Sequence, residues 1–208
     1  MQIKNVIFDL GGVLVNIDYH LTIQAFVDIG MSNFQELFTQ AQQSELFDKI
    51  EVGEISSDEF LAEIKALMPS YVSEVAIRTA WNAMLLDLPS ERLDFLLAVK
   101  EKYNTALLSN TNSIHLESFY KELKKVHNLK SLDDYFHKVY FSCDLGMRKP
   151  NPETFLRVCE LEGFNPSETL FIDDTMQHVE GAKQAGLQAL HLDVKNTDVI
   201  NLLSFLLA

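Results

Sequence analysis

The sequence predicts an α/β fold in which helices flank a mostly parallel sheet and an all-helical block is inserted after the first strand. From residue 89 onward, apolar runs of strand length alternate with segments of helical pattern. Such alternation is typical of right-handed crossovers between parallel strands. Residues 19–86 have a helical pattern and contain no convincing strand. An insertion into an α/β domain explains both halves of this pattern.

The first predicted strand is Val6–Phe8, a short apolar run that ends at Asp9 and is followed by Gly11 and Gly12. A run of this kind is typical of a strand covered on both faces of a sheet. Ligands of open α/β sheets bind at the carboxyl ends of the strands. Asp9 is therefore a candidate functional residue, although a carboxylate that merely caps a turn is the simpler alternative.

The helical block has apolar residues at helical spacing. Leu21–Ile29 has one apolar face, and Gly30 is placed to end that helix. Pro69 stops a second helix, and Val72–Met84 forms a further one that contains the only tryptophan, Trp81. About four to five helices are expected here.

This organisation predicts two units. The α/β core is expected to comprise residues 1–17 and 88–208, and the helical cap residues 18–87. A cap of about seventy residues can close over the edge of the sheet and exclude water. The predicted arrangement favours small substrates over macromolecules.

After the cap, strands and helices alternate to the end of the chain. The predicted strands are Thr105–Leu108, Lys138–Phe141, Thr169–Ile172 and Leu187–Leu192. The predicted helices are Arg92–Lys100, Ile114–Val126, Pro152–Glu162, Val179–Ala185 and Val199–Leu207. Because parallel strands share one carboxyl edge, polar residues distant in sequence can converge there.

Three strand ends and one helix start carry such polar residues: Asp9, Ser109-Asn110, Asp173-Asp174 and Arg148-Lys149. Carboxylates close together repel one another unless a cation neutralises them, and an all-oxygen site suits Mg²⁺. With one oxygen uncoordinated, Asp9 could attack phosphorus and form an aspartyl-phosphate. Lys149 would offset the negative charge, and Ser109 would bind the phosphoryl oxygens.

The net charge of the chain makes some classes of binding partner unfavourable. The formal net charge of −13 disfavours nucleic acid and anionic membrane surfaces. No apolar run is long enough to span a membrane, and Cys143 and Cys159 have no metal-ligand spacing. We expect no signal peptide, because the first residues, MQIKN, lack its charged and apolar regions. We expect a cytoplasmic protein, monomeric or weakly dimeric, with His178 at the surface rather than at the rim of the site.

Four motifs in order resemble the haloacid-dehalogenase-like hydrolase superfamily: VIFDLGGVLV, LLSNTN, GMRKPNPETF and LFIDDTMQHVEGAKQAG. The resemblance covers nearly the whole chain and implies a Rossmann-like core with an inserted helical cap. The last two motifs are similar to those of sugar-phosphate phosphatases and of the N-terminal phosphatase domain of soluble epoxide hydrolases. The resemblance implies a Mg²⁺-dependent hydrolase of phosphoric monoesters, acting on a small phosphorylated metabolite such as a sugar phosphate.

The resemblance also implies a role for each residue of the site. Asp9 would be the nucleophile, Lys149 and Ser109 would assist it, and Asp174 with Asp173 would join Asp9 in binding Mg²⁺. The remaining residues expected to touch substrate are Gly11, Gly12, Asn110 and Arg148, and the Gly11 carbonyl would also bind the metal. For Arg148, an ion pair with a surface acid is an equal alternative.

Gly11 departs from the family pattern. Phosphatases of the family usually have a second aspartate there, which protonates the leaving group, and proton transfer contributes about a hundred- to ten-thousand-fold to the rate. Two alternatives therefore stay open. One is a dehalogenase acting on 2-haloacids, and the other is a catalytically weak protein that binds a phosphorylated metabolite.

Overall fold

The computed structural model describes residues 2–37 and 45–208. The strands are β1 (Asn5–Phe8), β2 (Asn104–Ser109), β3 (Lys138–Phe141), β4 (Thr169–Asp173) and β5 (Gln188–His191). The helices of the first half are α1 (Tyr19–Asp28), α2 (Phe34–Leu37), α3 (Glu45–Glu51), α4 (Ser57–Ala66), α5 (Glu74–Asn82) and α6 (Ser90–Lys100). Those of the second half are α7 (Ser113–His127), α8 (Ser142–Leu145), α9 (Pro152–Glu162), α10 (Met176–Gln184) and α11 (Val199–Leu202).

The five strands form one parallel sheet in the order β3-β2-β1-β4-β5, which confirms the predicted α/β class. β1 lies at its centre, and Phe8 pairs with Leu107 of β2 and Ile172 of β4. Asp9 therefore lies one step beyond the last pair, level with Asp173. The register alone brings the ends of the three central strands together.

Side chains alternate between the two faces of the sheet, as the period of a strand requires. Val6 and Phe8 pack into one buried cluster with residues of α6, α7 and α11. Ile7 points to the opposite face and packs with residues of α9 and α10, including Phe155 and Ala182. Because both faces are covered, β1 is apolar throughout its last three residues, which is the pattern that predicted it.

Helices α1–α5 pack around a third cluster, which is centred on Trp81. Phe47 and Phe60 lie 5.3 Å and 5.2 Å from the Trp81 ring, measured between centroids. The two segments that join these helices to the sheet run side by side, since Asn16 and Asp87 bond through their backbones and side chains. The proposed boundaries of the helical cap at residues 18 and 87 stay a prediction.

The expected helix Val199–Leu207 was wrong beyond Leu202. α11 ends there, and a 3₁₀ turn follows at Ser204–Leu206. Lys102 and Tyr103 donate to the carbonyls of Leu207 and Leu206. The carbonyl oxygens of the final turn are therefore bonded by the segment that precedes β2.

Within the described residues, no helix has the length and apolar character needed to cross a bilayer.

Candidate active site

The carboxyl ends of β1, β2 and β4 bring Asp9, Ser109 and Asp173 to one edge of the sheet. The backbone N–H of Asp9 donates to the carbonyl of Ile172 at 3.0 Å, which continues the parallel pairing by one residue. All three side chains are buried, with Asp9 only 7% exposed. Buried polar groups of this kind require partners.

Lys149 is the principal partner. Its Nζ lies 2.7 Å from Asp9 Oδ1 and 2.7 Å from Asp173 Oδ2, and its side chain is fully buried. The ammonium also lies 5.4 Å from the centre of the Phe171 ring. Burial alone would lower the pKa of Lys149, but the carboxylates of Asp173 and Asp9 raise it above its ordinary value. Lys149 therefore stays charged between the two acids.

Asp173 is saturated with donors. Besides Lys149, it accepts from the backbone N–H of Thr175 at 2.8 Å, and His178 Nδ1 lies 3.0 Å from both of its oxygens. Burial acts to raise the pKa of Asp173, but Lys149 and His178 outweigh it and lower the pKa to about 2. The expectation that His178 lies at the surface was wrong. Its contact with Asp173 directs the side chain toward the site, where it is 15% exposed.

Asp9 and Asp174 have the opposite electrostatics. Burial, then the Asp173 carboxylate, raises the pKa of Asp9 well above its ordinary value, although Lys149 acts against the shift. The same two causes raise the pKa of Asp174 to about 6. Carboxylate oxygens of these three aspartates all lie within 4.8 Å of one another. One buried lysine therefore leaves part of the negative charge uncompensated.

Gly12 makes room for Asp174. A Cβ at position 12 would lie 2.2 Å from Asp174 Oδ2, and the backbone there has φ +76°, which favours glycine. At the preceding residue, Gly11, a Cβ would lie 3.2 Å from Ile17 Cδ1. The side chain of Ile17 therefore lies beside the position where family phosphatases usually have their second aspartate.

Asn110 contacts the lysine rather than the cavity alone. Its Nδ2 donates to the carbonyl of Lys149 at 2.8 Å, and its Oδ1 accepts from the N–H of Lys149 at 2.9 Å. Thr154 Oγ1 donates to the neighbouring carbonyl of Arg148 at 2.8 Å. The backbone that presents the lysine is thus fixed on both sides, and Asn110 holds it in place. A direct contact of Asn110 with substrate stays a prediction.

The side chain of Arg148 reaches α3. Its guanidinium forms ion pairs with Asp48 and with Glu51, the latter at 3.1 Å between Nε and Oε2. Arg148 thus connects α3 to the loop that carries Lys149. Its predicted contact with substrate stays a prediction.

A cavity of about 90 Å³ lies over this edge of the sheet. Asp9, Ser109, Lys149 and Asp174 line one end. The rest of the wall includes two residues that sequence reasoning did not single out, Tyr19 at the start of α1 and His115 in α7. Nothing in the local sequence marks either one, because their position depends on how the helices pack over the sheet.

Comparison with known proteins adds a family match. A profile described as a haloacid dehalogenase-like hydrolase matches residues 3–186. The chain is similar to D-ribitol-5-phosphate phosphatase of Bacteroides thetaiotaomicron, with 33% identity over 187 residues that cover 90% of each protein.

Solved structures agree in fold over the whole chain. A HAD family enzyme of Bacteroides thetaiotaomicron, crystallised with magnesium and inorganic phosphate, superimposes with a TM-score of 0.85 and 38% identity. The match covers 96% of this chain and 98% of that one. A predicted HAD-like hydrolase of Porphyromonas gingivalis gives a TM-score of 0.88 at 30% identity, covering 100% and 98%.

Proposed function

This chain belongs to the haloacid dehalogenase-like hydrolase family, and we propose that it is a magnesium-dependent phosphatase that acts on a small phosphorylated metabolite through Asp9. The observation that carries the proposal is the placement of Lys149, which lines the cavity and lies 2.7 Å from Asp9 and from Asp173. A buried cation beside a carboxylate nucleophile favours the approach of an anionic substrate.

The donor set suits Mg²⁺. Asp9 and Asp174 supply carboxylate oxygens that are close together. Burial, then the Asp173 carboxylate, raises the pKa of both groups, and a bound cation would act against both causes. Asp173 has its oxygens occupied by Lys149, Thr175 and His178, so Asp9 and Asp174 are the residues that would hold the ion. When bound, Mg²⁺ would neutralise charge on Asp9 and on the phosphoryl oxygens.

The proposed reaction has two steps. An oxygen of Asp9 attacks phosphorus, the ester P–O bond breaks, and the leaving alkoxide takes a proton to become the product alcohol. Water then attacks the acyl phosphate, which releases inorganic phosphate and restores Asp9. Lys149 balances the charge on Asp9 before the attack and on the phosphoryl group afterwards, while Ser109 and nearby backbone amides bind the phosphoryl oxygens.

Gly11 supplies no acid for the leaving group. We propose that the proton comes from solvent or from the substrate itself, with a rate penalty of up to about a hundred- to ten-thousand-fold. The similarity to a phosphatase of D-ribitol 5-phosphate supports phosphorylated sugar alcohols as the substrate class.

Phosphate release tests the proposal. In excess Mg²⁺, the wild type is expected to hydrolyse at least one member of a panel of polyol, sugar and small alkyl phosphates. Asp9→Asn is expected to lower the rate at least about a thousandfold, because the amide cannot act as the nucleophile. Asp94→Asn makes the same chemical change at an exposed position of α6 and is the matched control.

Two results would contradict this proposal. One is the absence of hydrolysis across the whole panel for folded wild-type protein. The other is Asp9-dependent chloride release from 2-chloropropionate in EDTA, without phosphate release from any ester in Mg²⁺, which would assign the dehalogenase alternative instead.

A further inference from the structure

His115 lines the cavity that contains Asp9, yet the proposed chemistry does not use it. It lies in the first turn of α7 and is 8% exposed. Its ring stacks on Trp81 with 4.8 Å between centroids and an angle of 16° between the planes. Its backbone N–H donates to Oδ1 of Asn112, the residue that caps the helix. The backbone of His115 is therefore held at the start of α7, and its ring is held against Trp81.

Within the described part of the chain, one ring nitrogen of His115 has a hydrogen-bond partner. Nδ1 lies 2.9 Å from Asn82 Oδ1, at the end of α5. Because an amide oxygen only accepts, Nδ1 carries the hydrogen and Nε2 keeps its lone pair. Among residues 2–37 and 45–208, no group forms a hydrogen bond with Nε2.

The environment keeps this imidazole neutral. Burial lowers the pKa of His115 to about 3, so Nε2 is an acceptor at neutral pH. Apolar side chains from the cap and from α7 share the same wall of the cavity, among them Met84, Leu85, Leu116 and Phe119. A fixed neutral acceptor on an apolar wall is suited to a neutral donor, and in a phosphorylated metabolite that donor is a hydroxyl group.

We propose that His115 is a specificity residue whose Nε2 accepts a hydrogen bond from a hydroxyl of the substrate's leaving group. The inference rests on the proposed phosphatase function, since it requires the phosphoryl group to lie at Asp9 and Lys149. It makes the preferred substrates phosphorylated polyols or sugars rather than esters of apolar alcohols. A site that hydrogen-bonds a substrate hydroxyl discriminates strongly against an analogue that lacks it.

Two variants separate this role from a purely structural one. The amide of asparagine lies at the level of Nδ1, so His115→Asn keeps a partner for Asn82 and removes the acceptor at Nε2. The longer His115→Gln places its amide oxygen at the level of Nε2 and gives up the contact with Asn82. The two variants therefore remove different halves of the imidazole.

The test compares D-ribitol 5-phosphate with n-pentyl phosphate, which has the same chain length without hydroxyls, in excess Mg²⁺. The ratio of their kcat/KM values should favour ribitol phosphate in the wild type. His115→Asn should lower that ratio about tenfold, the effect of one hydrogen bond to a buried acceptor. His115→Gln should restore most of it.

An unchanged ratio in both variants, or a loss in His115→Gln alone, would overturn the inference and leave His115 as a packing residue. If the wild type hydrolyses neither of these two esters nor any other member of the panel, that result contradicts the phosphatase function instead. Hydrolysis of pentyl phosphate but not of ribitol phosphate would overturn the inference. If both variants fail to fold, the ¹⁵N shift of His115 Nε2 can be followed in Asp9→Asn protein. Ribitol phosphate should move that shift and pentyl phosphate should not, and equal effects of the two would overturn the inference.

Discussion

The pKa values of the adjacent residues Asp173 and Asp174 shift in opposite directions because their neighbours differ. Asp173 is wholly buried, but Lys149 and His178 lower its pKa to about 2. Among the described residues, no lysine or histidine lies at bonding distance from the Asp174 carboxylate, and burial with the Asp173 carboxylate raises its pKa to about 6. Groups whose pKa values are pushed apart in this way take different roles. Asp173 orients the lysine, whereas Asp174 has oxygen available for a cation.

Gly12 offers a prediction at the scale of one residue. Gly12→Ala is expected to lower the free energy of unfolding by about 1 kcal/mol, because φ is +76°. It should also weaken Mg²⁺ binding about tenfold, since its Cβ would lie 2.2 Å from Asp174 Oδ2 and displace that carboxylate. Urea denaturation and calorimetric titration with MgCl₂ measure the two effects.

Gly163→Ala is the matched control for that prediction. Gly163 has φ +67°, and a Cβ there would meet nothing within 4 Å. The control should show the same loss of stability with unchanged Mg²⁺ affinity. Equal Mg²⁺ affinities for the two variants and the wild type would mean that Gly12 does not position Asp174.

At the scale of elements, α3 contacts the loop between α8 and α9, which carries Lys149. Asp48 and Glu51 of this helix pair with Arg148, the residue before Lys149. Just beyond the helix, a Cβ at Gly53 would lie 2.2 Å from the carbonyl oxygen of Cys143 in α8. The helix therefore contacts this loop through two ion pairs, and the residues that follow the helix approach the backbone of α8 closely.

The ion pair between Arg148 and Glu51 predicts a strongly non-additive mutant cycle. The Glu51 side chain is 11% exposed and that of Arg148 24% exposed. Arg148→Met should lower the free energy of unfolding by about 3 kcal/mol, because it removes the guanidinium that pairs with the largely buried Glu51 carboxylate. The double variant Arg148→Met with Glu51→Leu should recover most of that loss in urea denaturation.

Asp48→Asn is the control for this cycle. The Asp48 side chain is 50% exposed, so its pairing with Arg148 should contribute less than about 1 kcal/mol. If the single changes at Arg148 and Glu51 simply add in the double variant, then the two side chains are not coupled and the contact contributes nothing to holding α3.

At the scale of the molecule, the sheet and its polar edge were predictable because each strand is marked by an apolar run of neighbouring residues that ends in polar ones. The apolar run before Asp9 required two covered faces, and parallel pairing then placed Asp9 beside Asp173. The contacts made by the helices were not predictable in this way. His115 contacts Asn82 because α7 packs on α5, and Arg148 contacts Glu51 because α3 packs beside the loop before α9. Periodicity does not specify either packing.

The whole chain should also respond to Mg²⁺ through its folding equilibrium. The unfolded chain cannot assemble Asp9 and Asp174, so an ion that binds the folded site stabilises it. At a Mg²⁺ concentration of about 100 times Kd, the gain is about 2.7 kcal/mol. For a chain of this size, that corresponds to a rise in Tm of about 5–10 °C.

Thermal unfolding with EDTA and with MgCl₂ measures this rise. The formal net charge of −13 means that any salt could stabilise the chain by screening, so NaCl at matched ionic strength is the first control. Asp174→Asn is the second, because it removes one proposed ligand and should abolish the rise specific to Mg²⁺. A rise of equal size in NaCl or in the variant would assign the effect to general screening, and the carboxylate cluster would then not be the place where Mg²⁺ binds.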